Sequence, residues 1–458
     1  MADATTTAAR VLARKPHPLP SAVAAALADA FLAADLWEAS SLIDAGAHVM
    51  GARRRWLAPL VRDVMNAFVR PPVDSPRLLT ALILNSAAFS AAVRRADERR
   101  SPLRIAHQVV TPSKSRDVSR VLPRIDGIAD LAALLDLDIG QLQWLADTKH
   151  WNRRACSDAL QHYRYEWRAR PGRIPRLLEV PEQRLRRVQR KLLISVLGLV
   201  PANDAAHGFI PGRSAATGAA RHTASDTVIS LDLTTFFARV TASRIYGTLR
   251  QAGFSESIAH TITGLCTNAV PPRVLAAMPP GGTPDERFAL RRALATSHLP
   301  QGAPSSPMLA NLAIRRLDSR LTGWAAAAGA VYTRYADDLT FSGSGTLARR
   351  PDAFVRGVQR IIEDEGHSAN PRKTRVKRQS VRQTVTGIVV NQHVNFGGAD
   401  YDRLKATIHN CVIHGPEAQN RQRVDDFRAH LLGRISWVES LNASRGQKLR
   451  EQFERIRW

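Results

Sequence analysis

The chain has 458 residues, 44% of them hydrophobic, with 65 Lys+Arg against 40 Asp+Glu and a formal net charge of +25; this excludes wholesale disorder and a disulfide-stapled miniprotein, and allows about two to four domains of roughly 150 residues. Its three cysteines, Cys156, Cys266 and Cys411, form no CxxC pair, and neither an apolar run of about 18 residues nor a secretion leader is visible, so a cytoplasmic protein with no membrane partner is expected. A surface dominated by one sign attracts polyanions, and the excess of cations points to nucleic acid.

Residues 1–20 read as a loose tail, and Ala-rich stretches with helical spacing follow from Ser21 to Asp97. Gly127 to Asp147 reads as two short helices joined around Asp138, with Leu131, Leu134, Leu135, Leu142 and Leu145 inward. From about residue 160 helices alternate with short strands. Pro181 is expected to open a helix with Leu185, Val188, Leu192, Leu193 and Val196 on one face and Arg184, Arg186, Arg187, Arg190 and Lys191 on the others. Thr227 to Leu233 is a β-rich run, and Pro271 to Thr296, rich in Pro and Gly, suggests a surface loop. Ser306-Pro307 caps a helix through Leu309, Leu312, Leu317 and Leu321, and Val331 to Gly343 reads as two strands around an Ala-Asp-Asp turn. The segment after Phe396 is basic and helical. His409, Cys411 and His414 share a helix and lack a second ligand pair, so they are not expected to bind metal. The fold class is mixed α/β (α+β), with helices on a small antiparallel sheet.

Asp337 and Asp338 stand side by side between two strands. Taken alone, such a pair is more simply a solvated turn, since Asp is common in turns; the other reading is a divalent cation shared with phosphate oxygens. Asp232 favours the second reading: it is a lone carboxylate in an otherwise apolar strand, where an ionised group is costly unless paired or ligating. Three such carboxylates can hold two metal ions about 3.5–4 Å apart, the arrangement used for phosphoryl transfer.

The sequence Tyr335-Ala336-Asp337-Asp338 resembles the YxDD box of reverse transcriptases, and Leu299-Pro300-Gln301-Gly302 with Ala303-Pro304-Ser305-Ser306-Pro307 resembles their LPQG box. His207-Gly208-Phe209 with Pro211-Gly212-Arg213-Ser214, Ile229 to Phe237, Asn370 with Lys373, and Val385-Thr386-Gly387 follow in the family's order. Within that family the set is most similar to bacterial retron reverse transcriptases, over about residues 125–458. One departure stands out: those enzymes carry an NAxxH signature, and here Asn268-Ala269 is followed by Pro271-Pro272, with no His.

The resemblance implies a right-hand polymerase. Residues 1–100 would be a helical extension, 101–396 fingers and palm, and 397–458 a helical thumb. It implies that Asp232, Asp337 and Asp338, with the Leu233 carbonyl, bind two Mg²⁺ ions. Phe237 would be the gate against a ribose 2′-OH, the alternative of a buried core Phe being one that Phe236 next door fits better; Gln301 would pack near the incoming sugar and base, and Gly302 would permit close backbone approach. Arg176 would clamp the triphosphate, with Arg168, Arg170 and Arg173 crowding the same segment. Lys373 matches a basic position of the family but lies in a run of cations from Arg372 to Arg382 that reads equally as a solvated face. The substrates implied are dNTPs and a cognate structured non-coding RNA, primed from an internal guanosine 2′-OH. The RNA-linked DNA would serve anti-phage defence with a separate effector protein. A defence-associated or group II-like reverse transcriptase without branched priming is the alternative. An inactive RNA-binding relative is disfavoured by intact Asp232, Asp337 and Asp338.

Overall fold

The computed structural model describes residues 19–34, 36–72, 75–107, 122–148, 151–154 and 160–458. The tail expected over residues 1–20 lies almost wholly outside them, as does Cys156. The chain divides into two compact units, Met1–Thr148 with Leu249–Thr263, and Lys149–Thr248 with Gly264–Trp458.

The first unit is helical. Pro20–Leu32, Ala39–Met50, Leu57–Ala67, Pro76–Asn85 and Ala87–Glu98 follow in order, and their apolar faces close on a core that includes Leu27, Phe31, Leu42, Leu60, Val61, Ile83 and Phe89. Ser86 ends one helix and caps the next: its hydroxyl accepts from Ala88 N and donates to Asp63, so the chain bends there without leaving a donor unpaired. The internal segment 249–263 supplies buried Leu249, Phe254, Ile258, Ala259 and Ile262. Arg77 reaches it with a 2.6 Å contact to His260 Nε2 and a 3.6 Å ion pair to Glu256. Two further short helices, Ile128–Leu134 and Ile139–Ala146, flank Asp138, whose carboxylate caps the second by accepting from Gln141 N. Leu131, Leu135, Leu142 and Leu145 are buried there, and Leu134 is half-buried. Among the described residues no single helix is long and apolar enough to cross a membrane.

The second unit is built on strands. β1 (Tyr163–Arg168) and β2 (Arg176–Pro181) form an antiparallel hairpin. β3 (Thr227–Asp232), β4 (Ala330–Tyr335), β5 (Asp338–Gly343) and β6 (Arg375–Arg378) form an antiparallel sheet in the order β4-β5-β3-β6. Val228, Ile229, Leu231, Leu339 and Phe341 are buried in this sheet, as β-branched and aromatic residues on a pleated surface favour. The helix Pro351–Asp364 brings Phe354 edge-on to Phe341, whose other neighbour is the stacked ring of Tyr332.

Three local expectations change. Pro181 closes β2 rather than opening a helix; the helix begins at Gln183, because Pro181 and its neighbours complete the β1–β2 register first. The segment Pro271–Thr296 contains helices Pro272–Ala276 and Pro284–Ala295, the second started by a box in which Thr283 and Glu286 satisfy each other's backbone N–H. The helix expected through Leu321 is two helices, Ser306–Ala313 and Arg315–Ala327, with a break at Ile314.

The C-terminal helices Gly398–His414, Phe427–Leu441 and Ala443–Phe453 enclose Leu404, Ile408, Cys411, Leu431, Ile435, Leu449 and Phe453. Gly446 lets two of them cross closely, since a Cβ there would lie 2.1 Å from Glu439 Cγ.

A fully buried arginine stands inside the sheet. Arg334 of β4 donates from Nε and Nη2 to the two carboxylate oxygens of Asp318 at 2.8 and 2.7 Å, and Tyr332 donates to the same carboxylate at 2.9 Å. Its Nη1 donates to Asn311 Oδ1 at 2.8 Å and to the Ala336 carbonyl at 3.1 Å. A bidentate pair, with four of the five N–H donors engaged, is how such a charge survives without water. Removing one partner leaves the other uncompensated, so Asp318→Ala should lower the free energy of unfolding by about 3–5 kcal/mol, measured by urea denaturation.

Candidate active site

The ends of β3 and β5 bring the acidic residues together. Asp232 and Asp338 are directly opposed in the β3–β5 register, and Asp337 lies in the two-residue turn between β4 and β5. Ala336 takes a left-handed conformation at φ 55, held by the Arg334 hydrogen bond to its carbonyl. The turn is tied to the chain beyond β3, where Leu233 N donates to the Asp337 carbonyl at 3.0 Å. Asn370 N donates to the Asp232 carbonyl at 2.7 Å, which brings the Pro371–Lys373 turn alongside, and Lys373 Nζ reaches Asp232 Oδ1 at 2.5 Å.

Crowding of like charges is visible in the carboxyl groups. Burial, then the charge of Asp232, raises Asp337 above the usual carboxylate range, with Lys373 and Arg176 acting against the shift. Burial, then Asp337 and Asp232, pushes Asp338 up to about 6. Each neighbour disfavours the ionised form, so the cluster favours any cation that enters it.

Asp232, Asp337, Arg176, Phe237, Gln301 and Lys373 line one cleft of about 430 Å³, together with Arg170, Arg173, Arg372 and Arg375. Carboxylates and cations share its wall, the composition that a polyanion carrying a divalent cation would match. Phe237 follows Phe236 in the short helix Phe236–Arg239, entered through a left-handed Thr235 at φ 48. Phe236 is buried with its ring 6.0 Å from His367, whereas Phe237 is half-buried at the cleft, so the core role belongs to Phe236. Gly302, at φ 132, backs onto β2: a Cβ there would lie 2.9 Å from the Glu179 carbonyl. Leu233 has a buried side chain and offers the site only its backbone.

Among the described residues no three His, Cys, Asp or Glu side chains close into a protein-only cage. The carboxylates are hard oxygen donors beside a lysine ammonium already seated on Asp232, so a cation is stabilised there by the chain itself. Mg²⁺ binds one or two carboxylates and takes its remaining ligands from phosphate and water, and the residues fit it on those terms.

One part of the site was not anticipated. Glu179 of β2 is buried, accepts from His298 Nε2 at 2.8 Å and from Asn268 Nδ2 at 2.7 Å, and lines the same cleft. The signal that singled out Asp232, a lone carboxylate in an apolar strand, is present equally in Arg176–Pro181 (RLLEVP).

Comparison with known proteins agrees with this geometry. Residues 171–390 match the family model described as reverse transcriptase (RNA-dependent DNA polymerase). The chain is 35% identical over 329 residues to the retron Mx65 reverse transcriptase of Myxococcus xanthus, covering 70% of this chain and 69% of that protein. It is 36% identical over 353 residues to the retron Mx162 reverse transcriptase of the same organism, covering 73% and 68%. Against the retron Ec86 reverse transcriptase of Escherichia coli it is 26% identical over 331 residues, covering 72% and 88%. The chain therefore belongs to the retron-type reverse transcriptases and is an RNA-directed DNA polymerase.

Proposed function

We propose that the cleft is the nucleotidyl-transfer site, and that the chain copies a structured non-coding RNA of its own locus into single-stranded DNA that begins on an internal guanosine 2′-OH. The observation that carries the site assignment is the apposition of Asp232 with Asp338 beside Asp337, at the mouth of a cleft lined by arginines. The support for the priming mode is the resemblance of the LPQG, YADD and VTG boxes to retron enzymes and the retron names of the relatives.

In this reading Asp232, Asp337 and Asp338, with the Leu233 carbonyl, would hold two Mg²⁺ ions, which when bound would supply charge neutralisation for the phosphoryl transfer. The primer hydroxyl oxygen bonds to the α-phosphorus of a dNTP, the bond to the β-phosphate oxygen breaks, pyrophosphate departs and the hydroxyl proton passes to solvent. Arg176 and Lys373 draw the triphosphate into the cleft, Gln301 packs beside sugar and base, and Gly302 keeps that turn close to β2. The Phe237 ring sits where a ribose 2′-OH would project. Residues 101–396 act as fingers and palm, and residues 397–458 as a thumb that tracks the duplex backbone. The helices within residues 1–100 form an extension of separate role. The RNA–DNA product works in the cytoplasm in anti-phage defence with a separate effector.

The assignment has three expected outcomes. Asp337→Asn should abolish dNTP incorporation while RNA affinity stays near wild type, read by primer extension beside filter binding; wild-type incorporation would remove the carboxylate from the site. Phe237→Val should raise ribonucleotide use relative to dNTP in single-turnover assays, and unchanged discrimination in the folded variant would assign the gate elsewhere. Small DNA from cells carrying the protein and its flanking locus should change mobility after treatment with a 2′,5′ debranching enzyme. DNA with a free 5′ end would place the chain with reverse transcriptases that do not prime on a branch.

A further inference from the structure

We propose that Glu179 is a positioning residue of the nucleotide pocket. By holding an imidazolium at His298 and the amide of Asn268 inside the protein, it locks β2, which begins at Arg176, onto the turn that carries Gln301, so nucleotide affinity depends on the charge of His298. The inference rests on the reading of Arg176 and Gln301 as nucleotide contacts.

Both members of the pair are sealed from solvent, Glu179 at 1% and His298 at 0% exposure. A carboxylate that deep is costly unless both oxygens are satisfied, and both are: Oε1 accepts from His298 Nε2 at 2.8 Å and Oε2 from Asn268 Nδ2 at 2.7 Å. The other ring nitrogen of His298 lies 2.7 Å from the Thr296 carbonyl oxygen. With Glu179 ionised, a neutral imidazole would have a single N–H for two acceptors, and the doubly protonated ring satisfies both. Burial alone would lower the His298 pKa, but the Glu179 charge and hydrogen bond, with the Thr296 carbonyl, reverse that and raise it above 6.5.

The same residues carry the backbone joints of the pocket. Glu179 N donates to the Gln301 carbonyl at 2.8 Å, and the close approach at Gly302 leaves no room for a side chain. Asn268 and His298 exchange a reciprocal pair of backbone hydrogen bonds at 2.9 Å, and the next residue, Leu299, donates to Val240 directly after the Phe237 helix. The three pieces of the pocket, Arg176 on β2, Gln301 on its turn and Phe237 on its helix, are thus tied through Glu179 and the residues it grips. The titratable groups around the pair are Tyr163 and Tyr165 on β1 and Cys266. Burial drives Tyr163 well above its ordinary value and Cys266 up to about 12, and the Tyr165 hydroxyl accepts from Asn268 Nδ2 at 3.2 Å. Burial thus holds Tyr163 and Cys266 in their uncharged forms.

The sign follows from the raised pKa. The lock is complete below the ordinary histidine value and is lost as pH rises through the raised value of the folded protein. Single-turnover incorporation by the full chain on a supplied primer–template, run from below the ordinary histidine value upward into the alkaline range, separates the apparent Kd of a dNTP from the maximal rate. In the wild type Kd should climb by roughly tenfold, the size of one charge-assisted hydrogen bond, along an alkaline limb. Glu179→Gln should move that limb to lower pH, because its imidazolium has lost the carboxylate. His298→Gln, a neutral donor, should show a raised Kd with no limb, while thermal melts report a folded protein. A wild-type Kd that is flat with pH, or a His298→Gln variant that keeps the wild-type limb, overturns the proposal even if Glu179→Gln fails to fold. Arg176→Ala separates the two readings. If it leaves dNTP Kd unchanged, the pocket assignment itself fails; if it raises Kd while both lock variants behave as wild type, only the lock fails.

Discussion

Three carboxylates crowded at one end of a sheet repel one another, and much of the second unit serves to keep them there. Strand pairing fixes Asp232 opposite Asp338, so neither can retreat without breaking the β3–β5 register. Asp337 is held in place by the turn, and the turn is held from inside by Arg334, whose own charge is balanced by Asp318. Lys373 arrives from beyond β3 on a tight turn and offsets Asp232 directly. A site built to attract cations is in this way kept folded by cations of the chain, one buried and one half-exposed.

The opposite wall of the cleft is positioned by exclusion as much as by attraction. Gly302 lacks a side chain where one would strike β2, and Phe236 fills the core so that its neighbour Phe237 can face the cleft. Close approach of backbone to backbone converts small sequence features, a glycine or an adjacent pair of phenylalanines, into a defined arrangement of the residues that line the cleft.

Much of this was legible in the sequence because chemistry and pattern coincided. Asp232 announced itself as a charge in an apolar strand, and the alternation around Asp337 and Asp338 gave two strands and their turn. Lys373 was ambiguous, since a row of cations does not say which one turns inward; that is decided by the Asn370 hydrogen bond to Asp232, a contact between distant parts of the chain. Glu179 and His298 are 119 positions apart, and no local pattern pairs them. The helix Pro284–Ala295 was hidden by the Pro and Gly content around it, although Thr283 and Glu286 carried its start signal. Pro181 shows the reverse failure: a residue suited to a helix start was claimed by a strand, because cross-strand hydrogen bonds outweigh local preference.

The first unit is sewn from two pieces of chain, with residues 249–263 returning to it from inside the region that matches the reverse transcriptase family. During synthesis the N-terminal helices emerge first and can gather around Phe31 and Leu60, but the surface that Arg77 presents to His260 and Glu256 stays unmatched until the ribosome has delivered that later segment. The N-terminal helices thus share a unit with part of the polymerase sequence, and a chain lacking them would lose the Arg77 contacts to His260 and Glu256.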